Sequence, residues 1–134
     1  MESKSIPLEH EHDVVVARGL VRELAAAVGF GVVDQTRLAT IASELARNVV
    51  KYAGRGRLIA QPLGEAQGIR RGLRLIFEDE GPGIPDLAAA MRDGFSTGGG
   101  LGKGLPGAKR LAHDFEIDSA PGYGTRVTIA RWLN

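Results

Sequence analysis

SELARNVVKYA, residues 43–53, places a carboxylate at Glu44 and a carboxamide at Asn48, one helical turn apart. Apolar residues recur around it every three or four positions. This predicts a helix with one buried stripe made of Leu38, Ile41, Ala42, Leu45, Val49 and Tyr52. Glu44, Asn48 and Lys51 form a second stripe about 100° round the helix, at the border of the core. A carboxylate there can act as a base, and the amide oxygen beside it can bind a hard cation. A solvated helix face explains the same residues without any chemistry.

The composition of the 134 residues is that of one globular domain, with 43% hydrophobic and 25% charged residues. The net charge of +1 gives no strong electrostatic footprint for nucleic acid. The lack of cysteine excludes disulfides, zinc–thiolate sites and thiol nucleophiles. No apolar run could cross a membrane, and residues 1–13 lack the apolar core of a signal peptide. A cytoplasmic protein without nucleic-acid or membrane partners is therefore expected. Glycine is the outlier, at 19 residues, about twice its average usage.

Hydrophobic periodicity, capping residues and turn signals predict helices first and mainly strands afterwards. Four helices are predicted, at residues 13–28, 34–53, 86–93 and 106–113. The first is capped by Asp13 and ended by Gly29, and its buried side consists of Val16, Leu20, Leu24, Ala27 and Val28. The second is capped by Asp34 and ended by Gly54 and Gly56. The predicted strands are a short edge strand at 6–8 and four others at 57–63, 73–77, 115–119 and 126–133. This order implies an α+β fold, a two-layer sandwich with helices on one face of a mixed, mostly antiparallel sheet. Residues 1–134 are expected to form one domain, with 1–12 as a short edge strand or a flexible N-terminus.

The sequence DEGPG, residues 79–83, follows the most apolar of the predicted strands. A carboxylate at the end of that strand, Asp79, can accept a hydrogen bond from an exocyclic amine such as that of adenine. Gly81 and Gly83 would let the backbone approach a ligand closely. A tight turn with no ligand explains the motif as well.

A second glycine cluster consists of Gly98, Gly99, Gly100, Leu101, Gly102, Lys103 and Gly104. A flexible loop of this kind before a helix can wrap phosphates with its backbone N–H groups, and Lys103 adds a cation. The spacing is not that of a Walker loop, and no dinucleotide-binding βαβ unit surrounds it. So much glycine is uncommon in a small domain unless the loop moves or binds something, although a plain connection remains the alternative.

Gly124 and Thr125 open the last predicted strand, where the threonine either contacts a base or simply begins the strand. Taken in chain order, four motifs resemble the N, G1, G2 and G3 boxes of the GHKL (Bergerat-fold) ATPases: Glu44 with Asn48, Asp79 with Gly81 and Gly83, residues 100–104, and Gly124 with Thr125. That family includes gyrase-type ATPases, Hsp90, MutL-type repair proteins, histidine-kinase catalytic domains and anti-sigma-factor serine kinases. A free-standing chain of this length is similar to the anti-sigma-factor kinase branch, and within it to the stressosome switch kinases.

The resemblance implies a Bergerat fold and a serine/threonine kinase that uses ATP and Mg²⁺. The roles it implies are Glu44 as general base, Asn48 as magnesium ligand, Asp79, Gly81, Gly83 and Thr125 at the adenine end, and residues 98–104 as the ATP lid. Lys103 would meet the terminal phosphate, with Lys51 and Arg47 as alternatives.

The resemblance also implies partners: STAS-domain scaffold or antagonist proteins as substrates, and a downstream output enzyme such as a PP2C-type phosphatase. Two other functions stay open. One is a non-catalytic, nucleotide-gated binding module, in which nucleotide occupancy only changes the choice of partner. The other is a DNA-associated or chaperone ATPase fragment of the same fold. Glu44 favours the kinase, because a pure binder needs no base, and the near-neutral charge and missing second domain disfavour the ATPase fragment.

Overall fold

The computed structural model describes residues 2–64, 70–84, 91 and 104–133. The described helices are α1 (Glu11–Val28), α2 (Val32–Asn48), which continues into a π-helical turn at Val49–Ala53, and α3 (Gly104–Leu111). The strands are β1 (Lys4–Leu8), β2 (Gly56–Leu63), β3 (Gly72–Asp79), β4 (Asp114–Ser119) and β5 (Thr125–Trp132). Apart from Met91 and Gly104, the predicted helix at 86–93 and the glycine loop at 94–104 lie outside the described residues. None of the helices described here is both long and apolar enough to cross a membrane.

The strands form one open sheet in the order β1-β2-β3-β5-β4. Each of the four pairings among the described strands is antiparallel, so the α+β class is confirmed but the expected parallel part of a mixed sheet is not found in them. The chain reverses direction between β2 and β3 and again between β4 and β5. Strand β5 then returns beside β3, which sets Asp79 at the end of β3 opposite Thr125 at the start of β5.

Alternation along the strands separates the two faces of the sheet. One face packs against the helices and supplies much of the core, namely Leu58, Ala60, Leu73, Leu75, Phe77, Val127 and Ile129. The opposite face carries charged side chains. There the Glu78 carboxylate lies between the guanidinium groups of Arg57, at 2.7 Å, and Arg126, at 3.4 Å. Among the described residues, helices cover one side of the sheet, and the apolar residues of the strands concentrate on that side.

Helices α1 and α2 each begin two residues before the predicted start. Asp13 is the third residue of α1, not its cap, and its carboxylate accepts the N–H groups of Glu9 (2.8 Å) and His10 (3.0 Å). These hydrogen bonds hold the pKa of Asp13 below its usual value. Asp34 is likewise the third residue of α2 and pairs with Arg131 at 2.9 Å. Both aspartates thus lie inside the first helical turn, where a negative charge is still favourable.

The predicted buried stripe of α1 is only partly correct. Leu24 and Val28 are buried as predicted, but Val16 is 41% exposed and Ala27 is also exposed. The remaining buried positions of α1 are Val14, Ala17, Val21 and Ala25. Valines and alanines occur on more than one side of this helix, so periodicity alone did not identify the side that packs on the core.

The predicted stripe of α2 is confirmed, since Leu38, Ile41, Ala42, Leu45 and Val49 are buried and Tyr52 is half-buried. Beyond Asn48 the helix widens into the π-helical turn, and the Gly54 N–H reaches the Val49 carbonyl at 3.1 Å. Gly54, with φ of 86°, ends the turn as predicted. Gly56 does not end the helix. It is the first residue of β2, where a Cβ atom would lie 2.1 Å from the Glu78 carbonyl oxygen.

Candidate active site

A cavity of about 290 Å³ lies between the end of α2 with the π-helical turn, the end of β3, the start of β5 and the start of α3. Its lining residues are Leu45, Asn48, Val49, Tyr52, Ala53, Phe77, Asp79, Pro82, Gly83, Ile84, Leu105, Thr125 and Val127. Most of them are apolar, and a few polar groups converge among them, which is typical of a small-molecule site. The volume is near the lower end of the usual range for ligand pockets.

Asp79 supplies the charged group of this cavity. Its carboxylate accepts hydrogen bonds from the backbone N–H groups of Gly81, at 2.9 Å, and Thr125. Burial raises the pKa of Asp79, although these two hydrogen bonds act in the opposite direction. A carboxylate has about four acceptor positions, so two backbone donors leave capacity for a ligand.

The two glycines after Asp79 are required by packing within the protein. A Cβ atom at Gly81 would lie 2.6 Å from the Ala53 Cβ. At Gly83, where φ is 79°, it would lie 2.1 Å from the Ala120 carbonyl oxygen. The sequence predicted close approach to a ligand at both positions. The structure adds that the turn is held between the π-helical turn and the β4–β5 connection, and that Gly83 also lines the cavity.

Asn48 lies on the cavity wall, and its Nδ2 is buried with no hydrogen-bond partner among the described residues. A buried NH₂ group without a partner is costly, and a ligand that brings an acceptor atom, such as a phosphate oxygen, can satisfy it. No cluster of three or more His, Asp or Glu side chains suited to a metal occurs in the described parts of the chain. The Nδ2 group cannot itself bind a cation, but the carboxamide oxygen of Asn48 is a hard ligand of the kind that magnesium accepts when phosphates and water complete its coordination.

Glu44 does not line the cavity. Its side chain is 45% exposed, one helical turn before Asn48, and it pairs with Arg47 at 3.7 Å. Lys51 also lies outside the cavity, in the π-helical turn that follows Asn48. The Lys51 ammonium lies 5.5 Å from the centre of the Tyr52 ring. The structure thus unites Asn48, Asp79, Gly83 and Thr125 at the cavity and places Glu44, Arg47 and Lys51 outside it.

Gly104 begins α3, and the other predicted lid residues, from 98 to 103, lie outside the described residues. The next residue, Leu105, is 2% exposed and lines the cavity. The sequence analysis did not single out Leu105, although an apolar residue directly after the glycine cluster was a usable signal. The end of the predicted lid is therefore joined to a side chain that closes one wall of the site.

The sequence analysis also missed Ser119, the last residue of β4. Its hydroxyl accepts the Ile84 N–H at 2.8 Å, donates to the Gly124 carbonyl at 2.9 Å and lies 2.8 Å from the Thr125 hydroxyl. Gly124 is itself confined, since a Cβ atom there would lie 2.2 Å from the Asp79 carbonyl oxygen. Ile84 is far from Ser119 in the sequence, so no local pattern reveals that this serine joins the turn after β3 to the start of β5.

Comparison with known proteins agrees with this geometry. Residues 33–133 match the family described as Histidine kinase-, DNA gyrase B-, and HSP90-like ATPase. The serine/threonine-protein kinase RsbT of Bacillus subtilis (strain 168) is 50% identical over 123 residues, which cover 92% of this chain and 91% of the relative. A solved structure of the mycobacterial sensor histidine kinase MprB has a TM-score of 0.56 at 18% identity, covers 96% of each chain and indicates the shared fold. The chain therefore belongs to the histidine kinase-, DNA gyrase B- and HSP90-like ATPase family.

Proposed function

We propose that this protein, a serine/threonine kinase of that ATPase family, uses magnesium–ATP to phosphorylate STAS-domain stressosome proteins and then activates a downstream output protein. The kinase class rests on the 50% identity with the Bacillus subtilis enzyme over most of both chains. The substrates and the output enzyme, for which a PP2C-type phosphatase is our candidate, rest on the sequence resemblance.

The observation that carries the proposal is the cavity itself. Apolar walls suit a flat base, and the Asp79 carboxylate, next to Thr125, suits an exocyclic amine. Asn48 lies on the wall formed by α2, one helical turn after Glu44. In this proposal the phosphates of ATP extend from the base towards these two residues. Lys103 remains our candidate for the contact with the terminal phosphate, on the strength of the sequence resemblance.

The proposed transfer needs little covalent chemistry from the protein. The serine or threonine oxygen of the partner forms a bond to the γ-phosphorus, while the bond from that phosphorus to the β–γ bridging oxygen breaks and ADP leaves. Glu44 orients the hydroxyl and takes its proton. Magnesium, bound through Asn48, would neutralise charge on the phosphates. The half-exposed position of Glu44 suits a hydroxyl that arrives on another protein, and a surface pair such as Glu44 with Arg47 is weak enough to separate.

A second function remains, because Glu44 lies outside the cavity and is paired. In that alternative the chain is a nucleotide-gated binding module, and Glu44 is an ordinary surface residue. A phosphotransfer assay with labelled ATP and purified STAS-domain proteins separates the two. Label on a serine or threonine of the partner supports the kinase. Nucleotide-dependent binding without any transfer of label would support the module.

A further inference from the structure

Ser119 takes part in three hydrogen bonds that join three segments around the cavity. The partners are the Ile84 N–H from the turn after β3, the Gly124 carbonyl and the hydroxyl of Thr125. Thr125 and Ile84 both line the cavity, whereas Ser119 does not. Any influence of Ser119 on a bound molecule therefore passes through these neighbours.

The direction of each hydrogen bond follows from counting protons. A serine hydroxyl has one proton and two lone pairs. The Gly124 carbonyl can only accept, so the single Ser119 proton is used there. The Ile84 N–H can only donate, so it occupies one lone pair. The contact of 2.8 Å with Thr125 must then use the second lone pair, which makes the Thr125 hydroxyl the donor.

This assignment fixes what Thr125 can offer to the cavity. Its only hydroxyl proton points to Ser119, so its oxygen keeps acceptor capacity and has no proton to donate. Asp79, directly opposite in the sheet register, is an acceptor as well when ionised. The polar end of the cavity therefore presents two acceptors side by side.

We propose that Ser119 is a positioning residue that determines base specificity: by holding the Thr125 proton, it makes this end of the cavity select a purine with an amino group at position 6 over one with an oxo group there. The inference rests on the proposed function, since it requires the base of ATP to occupy this cavity. A 6-amino group donates to both acceptors, whereas a 6-oxo group faces both without a proton between them.

The test compares ATP with inosine triphosphate, whose base has an oxo group in place of the 6-amino group. Binding to the full chain is measured by calorimetry at about pH 8, well above the ordinary pKa of an aspartate. Wild-type protein should prefer ATP. In Ser119→Ala the Thr125 hydroxyl is free to turn and donate, so the preference for ATP should fall about tenfold, mainly through tighter binding of inosine triphosphate.

A double variant shows whether Thr125 is the cause. In Ser119→Ala/Thr125→Val the gain for inosine triphosphate should disappear, because no hydroxyl remains to donate. Thr128→Val is the matched control. It makes the same substitution on β5 at a position that faces the other side of the sheet, and it should leave the preference unchanged.

Several results would overturn the inference. An unchanged ratio of the two affinities in Ser119→Ala, with both affinities weaker, would give Ser119 a merely structural role. If Ser119→Ala does not fold, Thr125→Val alone decides the matter: it should weaken ATP more than inosine triphosphate, and the reverse would make Thr125 a donor to the base. Failure of the wild type to bind ATP would refute the proposed function and this inference together, whereas normal ATP binding through Asp79 with an unchanged ratio refutes the inference alone.

Discussion

The Asp79 carboxylate combines partial burial, two backbone donors and unused acceptor capacity, and we propose that it recognises the base of ATP. In Asp79→Asn one oxygen is retained for the backbone, but an NH₂ group is placed where an acceptor is needed. The free energy of ATP binding should weaken by about 1–3 kcal/mol. Calorimetry measures it, with Asp118→Asn on the exposed part of β4 as the control. An unchanged affinity would remove Asp79 from the binding site.

The raised pKa of Asp79 makes a separate prediction about stability. Burial favours the protonated carboxyl in the folded chain, so its folded-state pKa lies above the unfolded-state value. The stabilisation from that proton is complete below the unfolded-state pKa and is lost as the pH rises through the folded-state pKa. The asparagine of Asp79→Asn does not titrate, so the stability of the variant does not change with pH at this position. The free energy of unfolding of the variant, relative to wild type, should therefore increase between about pH 3.5 and about pH 7 in urea titrations. The same difference at both pH values would contradict this account.

Substitutions of Glu44 and Asn48 should impair different properties, since Glu44 lies outside the cavity and Asn48 lies on its wall. Glu44→Ala should bind magnesium–ATP and a STAS partner normally but lose about 10²–10⁴ in the rate of transfer, as expected for removal of a general base. Asn48→Ala should weaken magnesium–nucleotide binding as well as transfer. A pull-down beside a kinase assay reads both properties, and Glu23→Ala on the exposed side of α1 is the control. Transfer by Glu44→Ala at nearly the wild-type rate would favour the nucleotide-gated module.

At the scale of whole elements, α3 is the helix whose first turn closes the cavity. Leu105 is buried against it, so a bound base should restrain Gly104–Leu111. Amide hydrogen exchange in α3 should therefore slow when magnesium–ATP is added, while β1 (Lys4–Leu8), which does not line the cavity, should not change. The same experiment tests residues 98–104, for which the assignment as a lid predicts an even larger effect. Equal protection of α3 with and without nucleotide would separate this helix from the site.

At the scale of the whole molecule, Arg131 of β5 connects the sheet to the helices α2 and α3. Its guanidinium donates to the Leu111 carbonyl at the end of α3 and to the Asp34 carboxylate in the first turn of α2, and its side chain is only 11% exposed. Arg131→Leu leaves the Leu111 carbonyl without this donor and leaves Asp34 only its exposed pair with Arg37. It should lower the free energy of unfolding by about 1.5–3 kcal/mol. Urea unfolding measures this free energy. The control is Arg126→Leu, because the Arg126 side chain is more than half exposed on the face of the sheet opposite the helices. Its free energy of unfolding should change by about 0.5 kcal/mol or less. Equal losses in both variants would refute the role given to Arg131.

Local patterns in the sequence predicted the elements well where one signal dominated. The stripe of α2 has a single apolar side, and Leu73, Leu75, Ile76 and Phe77 make β3 strongly apolar, so both elements were predicted correctly. The side of α1 that packs on the core was not, because its valines and alanines surround the helix. Long-range contacts were beyond reach for a different reason. The close approach of Gly83 to Ala120 and the hydrogen bond between Ser119 and Ile84 join parts of the chain that no short window of sequence contains.

The π-helical turn at Val49–Ala53 has a consequence for the comparison of related chains. A turn that closes hydrogen bonds over five residues contains one residue more than the α-helical turn it replaces. The segment between Asn48 and Gly54 therefore has a length that an uninterrupted helix would not need. A homologue that lacks one residue in this segment could form a regular α-helix there. It would still place an asparagine at the position of Asn48 and a small residue at the position of Ala53, against Gly81. When such a homologue is aligned with this chain, the one-residue gap should therefore lie between these two positions, and the two positions themselves should stay aligned.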